Sequence, residues 1–330
     1  MLARIAQELF WLGRDLTRAE HTARMLDGAF HADVSGGAER GIALSWPGVL
    51  AVIGAKAPAP GEGAAETTGA AIPALFSRAE IAALLTLDTD SPASVVSCIS
   101  RARERGRRLR DVISTEMWEA LNSFYLALGR YDLQAALATG PYSVYQEVKE
   151  RCALFWGLLG RTMLRDEGRS FLEAGGRIED ADMVLRMLRV AVPADSTVES
   201  GPGTGHEAEA LGLLQALGGF QAYRRWVRQV PELLRVVRFL LYEANYPGSV
   251  AASLLALQHS LETADAAPRS SPPVLRLGRL IADLELQRRS PEAGGTLGEM
   301  LGRVQNELEL VDHDIDERYF AIAALAAVHL

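Results

Sequence analysis

The chain has 330 residues, of which 48% are apolar, 23% charged and only 7% aromatic, a balance that excludes disordered, collagen-like and membrane-spanning classes. Thirty-four basic against 42 acidic side chains leave a net charge of −8, so the chain as a whole lacks the basic signature of a nucleic-acid binder. Only Lys56 and Lys149 are lysines and 32 residues are arginines, which removes the P-loop and leaves Schiff-base chemistry two poorly placed candidates.

Cys98 and Cys152 stand alone, with no disulfide framework and no zinc-finger spacing, so a reducing cytoplasm is the expected compartment. The opening stretch MLARIAQELFWLGRD carries an acid at Glu8 and no run of seven apolar residues, so no secretory leader is expected. Nor does any 18-residue apolar run follow, and no membrane association is expected.

In chain order, Leu2, Ile5, Leu9, Leu12, Leu16, Ala19, Ala23 and Leu26 advance by alternating steps of three and four. That is one apolar stripe of a helix packed on other helices, with Gly28 as its expected end. Residues 56–73 have the Gly/Pro/Ala composition of a mobile loop. Two helices are expected between Ser77 and Arg110, broken at LTLDTDSPAS, with Asp90 or Ser91 capping a helix that Pro92 begins. Ser114 caps the next helix, over 114–130. Further helices fit 141–164, 166–189, 206–219, 220–243, 247–263, 273–289 and 295–325. Stretches of alternating β-branched and aromatic residues are missing, so the fold class is all-α.

A long internal period accompanies these helices. Shifted by 162 positions, FWLGRDLTRAEHTARMLD falls on LEAGGRIEDADMVLRMLR, matching Gly13 with Gly175, Glu20 with Asp182, and Arg24-Met25-Leu26 with Arg186-Met187-Leu188. A shift of 155 lays LLTLDTDSPASV on FLLYEANYPGSV. The expectation is a single helical-bundle domain over 1–330, built from two matched helical halves, about 1–140 and 141–330, related by a pseudo-two-fold repeat. Its variable loops are 56–73 and 192–205, and any site is expected where the halves meet.

Several constellations could carry chemistry. Glu20, Arg24 and Asp27 lie within roughly 60° of one another on the first helix and flank its stripe, either as an intrahelical ion-pair ladder or as a group facing the other half. Arg14 and Arg18 are expected on the opposite, solvent-facing side. RARERGRRLR holds six arginines in ten residues, and Arg103, Arg107 and Arg110 share one side, either as a solvated face or as a grip on a phosphate, a carboxylate or an acidic helix. No aromatic residue is interleaved with them, so stacking on nucleic acid is not expected. Arg165, Asp166 and Glu167 precede a helix, as caps or as a buried Arg165–Glu167 pair. Glu309, Asp312, His313, Asp316 and Glu317 form an acidic cluster without the Glu-x-x-His signature, so neither a metal nor another cofactor is expected. GxSxG and HExxH are absent, and GPGTG at 201–205 reads as a linker.

Together MLARIAQELFWLGRDLTRAEHTARMLD, LTLDTDSPASVVSCISRARERGRRLRDVISTEMWEALN and TMLRDEGRSFLEAGGRIEDADMVLRMLR resemble three ordered blocks of the bacterial alpha-E family, nearly end to end. The resemblance implies an all-helical protein typically encoded beside a circularly permuted ATP-grasp ligase and often a transglutaminase-like peptidase, in a system making or processing an amide-linked peptide. By position, the family's polar pattern falls on Arg18, Glu20, Arg24 and Asp27. It continues on Asp88, Pro92, Arg103, Glu104, Arg107, Arg110, Glu116, Trp118 and Asn122, and then on Arg165, Asp166, Glu167, Asp182 and Arg186. The chain departs from that pattern at Arg105-Gly106, at Arg169, and at Gly176 and Asp180, where arginines are expected.

The leading expectation is an accessory or substrate-binding protein that works with an ATP-grasp-type amide ligase, with a transglutaminase-like peptidase as a second partner, and takes a small peptide or amino-acid ligand. The alternative is an enzyme in which Glu20 or Glu167 performs acid–base chemistry between the halves on a carboxylate or amide. Anion sensing by the 101–110 arginines is a variant of the binding role.

Overall fold

The computed structural model describes residues 1–34, 45–54, 77–130, 132, 135–136, 142–192, 207–289 and 296–321. All regular structure there is helical: α1 Ala3–Val34, α2 Trp46–Ile53, α3 Arg78–Thr86, α4 Val95–Arg108, α5 Thr115–Leu128, α6 Tyr142–Thr162 and α7 Glu167–Ala191. There follow α8 Glu207–Ala216, α9 Phe220–Trp226, α10 Leu233–Tyr242, α11 Val250–Ala264, α12 Pro272–Arg289 and α13 Leu297–Ile315, with a π-helical turn over Asp316–Phe320. No described helix is long and apolar enough to cross a membrane.

Side-chain caps set many of the helix starts. Ser77 and Glu80 form a reciprocal capping box on α3, as Thr296 and Glu299 do on α13. Ser114 caps α5 as expected and Asp166 caps α7.

Four boundaries differ from the sequence expectation. α1 runs past Gly28 to Val34, because Gly28 and Ala29 are buried and packing outweighs the roughly 1 kcal/mol helix penalty of one glycine. α4 is capped by Ser94 rather than by Asp90 or Ser91. The Ser94 hydroxyl accepts from Ser97 N and donates to the Asp88 carbonyl at 2.6 Å, leaving Pro92 in the preceding turn. The span 220–243 is two helices, since Arg228 turns to a φ of 22° and Pro231 has no N–H to continue the ladder. α2 escapes periodicity because WPGVLAVI is apolar throughout; Ser45 caps its start and Gly54, at φ 66°, its end. The expected loop 56–73 and the boundary at 140/141 lie outside the described residues, as does 192–205 apart from Val192.

α7 sits at the centre, with residues on every side of its 25-residue length buried. It packs against α1, α11, α13 and α2, while α1 packs against α7, α4, α6 and α8. Around this axis α4 lies on α5 and α5 on α6, and likewise α11 on α12 and α12 on α13. The turn before α4 and the turn before α11 carry the same bonds. Ser249 donates to the Glu243 carbonyl at 2.7 Å and accepts from Ala252 N, and Asn245 N reaches the Glu243 carboxylate as Asp90 N reaches that of Asp88.

α1 and α7 meet backbone to backbone. A Cβ on Gly13 would run into the Leu172 carbonyl oxygen, and one on Gly175 into that of Phe10, so any side chain at either position forces the helices apart.

Candidate functional site

The close crossing of α1 and α7 brings long polar side chains of one helix onto the other. Arg14 and Arg18 are one turn apart on α1, and both reach Glu179 on α7, whose side chain is 0% exposed. Arg14 Nε donates to Glu179 Oε2 at 3.0 Å, and its Nη1 donates to Asp312 on α13 at 2.7 and 2.9 Å. Arg18 donates to both Glu179 oxygens, at 2.5 and 2.9 Å. Burial pushes the Glu179 carboxyl up, but the charges and hydrogen bonds of Arg18 and Arg14 pull it further down, so it is held ionised. The Arg14 guanidinium also stacks 4.7 Å above Trp11. The expectation that Arg14 and Arg18 face solvent is therefore wrong: Arg14 is 8% exposed, because the side of α1 opposite the Glu20–Arg24 pair is covered by α7 and α13.

Around the axis, the 101–110 arginines divide between two faces of α4. Arg101 and Arg105 reach Asp15 at 2.7 and 3.2 Å, and Arg105 and Arg108 reach Glu8 at 3.2 and 2.6 Å, which locks α4 to α1. Arg103 donates to Asn122 at 2.8 Å and pairs with Glu104 at 2.9 Å, and Arg107 pairs with Glu104 at 2.9 Å. Arg103 lies 4.7 Å from the Tyr125 ring and Arg110 4.2 Å from that of Trp118. So aromatic rings do interleave with these arginines in space. They arrive from α5, where linear sequence does not reveal them.

The first-helix triplet separates. Arg24 pairs with Glu20 at 2.7 Å, whereas Asp27 turns to Lys149 on α6 at 2.8 Å and to His31 at 3.5 Å. Asp182 pairs with Arg186 at 2.8 Å and accepts from Gln305 on α13. Arg24 and Arg186 end in like surroundings, beside the left-handed glycines Gly218 and Gly54 that follow α8 and α2.

At the start of α7 there is no buried Arg165–Glu167 pair. Arg165 and Asp166 are exposed, Asp166 caps the helix, and the Glu167 carboxylate lies 2.6 Å from the Met1 amino group at 44% exposure. A run of charged residues at a helix start faces water by default, and here Glu167 is covered in part by the chain's first residue while Arg165 and Asp166 stay exposed. Glu116 is exposed in the first turn of α5.

Within the C-terminal acidic cluster Asp312 faces Arg14, while His313 and Glu317 stay exposed, 3.5 Å apart. Burial, then Asp312, raises the Asp316 carboxyl. Among the described residues no three His, Cys, Asp or Glu side chains are placed to hold a metal. Both thiols are buried. Burial pushes Cys98 up to about 12 and Cys152 well above its ordinary value, so neither is an available thiolate nucleophile.

Asp15 and Glu179 are not among the sequence-based candidates, and Asp312 is among them only as a member of the acidic cluster, not as a partner of Arg14. Glu179 stands among Arg177, Asp180 and Asp182 in the sequence, so no local signal separates it from its charged neighbours; the packing of α7 on α1 does.

Fold and site thus define a wholly helical protein whose polar seam is a mutual arginine–carboxylate network. The chain belongs to the Alpha-E family, described as a predicted alpha-helical domain with a conserved ER motif, whose model matches residues 1–320. Curated relatives are the uncharacterized proteins Rv2567 of Mycobacterium tuberculosis (strain ATCC 25618 / H37Rv) and Mb2597 of Mycobacterium bovis (strain ATCC BAA-935 / AF2122/97). Each is 25% identical over 303 residues, covering 88% of this chain and 33% of the relative. The chain therefore spans about a third of the length of the curated relatives it matches. No solved structure matches.

Proposed function

We propose that this chain is an accessory, non-catalytic helical protein that works in the cytoplasm with an ATP-grasp-type amide or peptide ligase, and helps hold its peptide or amino-acid substrate. The observation that carries this reading is the engagement of the polar groups. The arginines and carboxylates of the α1–α7 seam bind one another, and the two cysteines are buried and protonated. Such a seam stabilises a scaffold, and the carboxylates within it are occupied by arginines rather than free to act as general acid or base. Pairing of Glu20 within its own helix, and the half-exposed position of Glu167, favour this reading over acid–base catalysis between the halves. A transglutaminase-like peptidase is the second proposed partner.

The scaffold itself is proposed to consist of two halves related by a pseudo-two-fold axis through the α1–α7 crossing. Support comes from the reciprocal contacts Gly13–Leu172 and Gly175–Phe10, positions that the 162-residue shift exchanges. The matching Ser94 and Ser249 caps, and the packing of α8 on α1 and of α2 on α7, agree with it.

Co-purification with an ATP-grasp ligase encoded beside a member of this family, followed by ligase assays with and without this chain, tests the function. Association with a changed rate is expected; the absence of both association and any rate change overturns the proposal.

A further inference from the structure

Away from the seam, the α9–α10 corner presents a different surface. Trp226 is 45% exposed although its ring is backed by Phe239 at 5.3 Å and Tyr223 at 6.2 Å, so an indole packed on one face is open to solvent on the other. Beside it lies a cavity of about 460 Å³, lined by Trp226, Val227, Leu234 and Tyr242 and by three arginines and two glutamates, from α9, α10, α12 and the segments next to α10. That volume falls in the range of small-molecule sites.

The charges are held in place. Arg288 is fixed by two hydrogen bonds to Glu285 at 2.7 and 2.8 Å, and Arg235 by Glu232 at 3.3 Å. Arg238, exposed on α10, has no carboxylate partner among the described residues. Glu243 faces the same cavity, with one oxygen taking both donors of Asn245. A second cavity of about 440 Å³ is lined by Gln221, Arg224 and Arg225 of α9 and by Arg228 just past its end, with no carboxylate in its lining.

The geometry points to a binding site here for a short peptide with free ends. Its carboxylate would be gripped by the fork of Arg238, with Arg288, whose Nε and Nη2 already hold Glu285, adding a donor from Nη1; its ammonium would lie by Glu232 and Glu243, and an apolar side chain would lie on Trp226. Guanidinium forks match a carboxylate bidentately. Two carboxylates in the same lining oppose a nucleotide polyphosphate, which would bring several negative charges against them, and instead complement an ammonium. This site rests on the proposed role in handling a ligase's peptide substrate and gives that role a location and a ligand class.

Isothermal titration of the full chain with the tripeptide Ala-Phe-Glu tests it, with the C-terminally amidated, N-acetylated peptide, ATP and inorganic phosphate as parallel probes. Saturable binding of the free peptide is expected, weakened about tenfold or more by Arg238→Ala, by Trp226→Ala and by blocking the peptide ends. Both substituted residues are exposed, and unchanged thermal unfolding of the variants checks their folding. No saturable binding at millimolar peptide, equal binding of the blocked peptide, preference for ATP or phosphate, or indifference to both substitutions would each overturn the site. Ligase association without peptide binding would refute this site alone, whereas peptide binding without ligase association would refute the accessory role alone.

Discussion

On either side of the glycine contact, the α1–α7 crossing is built differently. On one side Arg14 and Arg18 converge on the fully buried Glu179. On the other, the positions exchanged by the 162-residue shift are Gly176 and Thr17. A Cβ on Gly176 would lie 2.7 Å from the Trp156 ring and 3.3 Å from the Thr17 hydroxyl, so the indole fills the space that an arginine stem needs. The other expected arginine of this block is Asp180, which accepts instead from His21 at 2.9 Å. One side of the crossing thus holds a buried charged triad, and the other an aromatic-packed glycine beside a partly buried Asp180 that meets His21 and Arg177. The lesson is that glycine approach and apolar packing make the crossing, while the ion cluster adds a dependence: once charges are buried together, each needs the others.

The largest expected effect follows from that dependence. Glu179→Ala leaves the buried Arg14 guanidinium with the part-exposed Asp312 and takes both hydrogen bonds from the partly buried Arg18, and urea denaturation is expected to show a loss of about 3–5 kcal/mol. Thr17→Ala at the mate position is expected to lose less than about 1 kcal/mol; equal losses would erase the distinction between the two sides. Next in size, Gly13→Ala and Gly175→Ala place a methyl against a carbonyl oxygen of the facing helix, and each is expected to cost about 1–3 kcal/mol. A similar cost for the pair is what a shared two-fold contact requires, and thermal unfolding of the two variants checks it.

The pH dependence carries the same comparison. Because the Glu179 carboxyl is held below its unfolded value, its contribution is fully present above about pH 4.5 and is lost as pH falls through the folded value. Unfolding free energy measured from pH 6 to pH 3 is expected to fall less steeply in Glu179→Gln than in the native chain. The smallest effect belongs to Glu20→Gln, which removes a part-exposed pair within one helix turn and is expected to cost roughly 0.3–0.5 kcal/mol.

Much of the fold is legible in the sequence because helices with one apolar stripe announce themselves. Six of the eight stripe positions of α1, from Leu9 to Leu26, are fully buried, while Leu2 stays 73% exposed at the helix's frayed start. α2 was invisible for the opposite reason, since a short segment that is apolar all round has no periodicity. The site was legible in its residue types and not in its partners. Arginine abundance pointed to carboxylate pairing, but Arg14 meets Glu179 and Asp312 across 165 and 298 positions, distances that no helical spacing encodes. Likewise, the rings under Arg103 and Arg110 come from a neighbouring helix.

The central claim is that this scaffold assists amide formation without performing chemistry of its own. Its most direct test is to titrate the native chain and a Glu20→Gln/Glu167→Gln variant into an ATP-grasp ligase encoded beside a family member, measuring ATP-dependent amide formation. Saturable stimulation by both forms to the same extent is the result the account predicts. No stimulation and no complex, or turnover by the chain alone that the double variant abolishes, would contradict it.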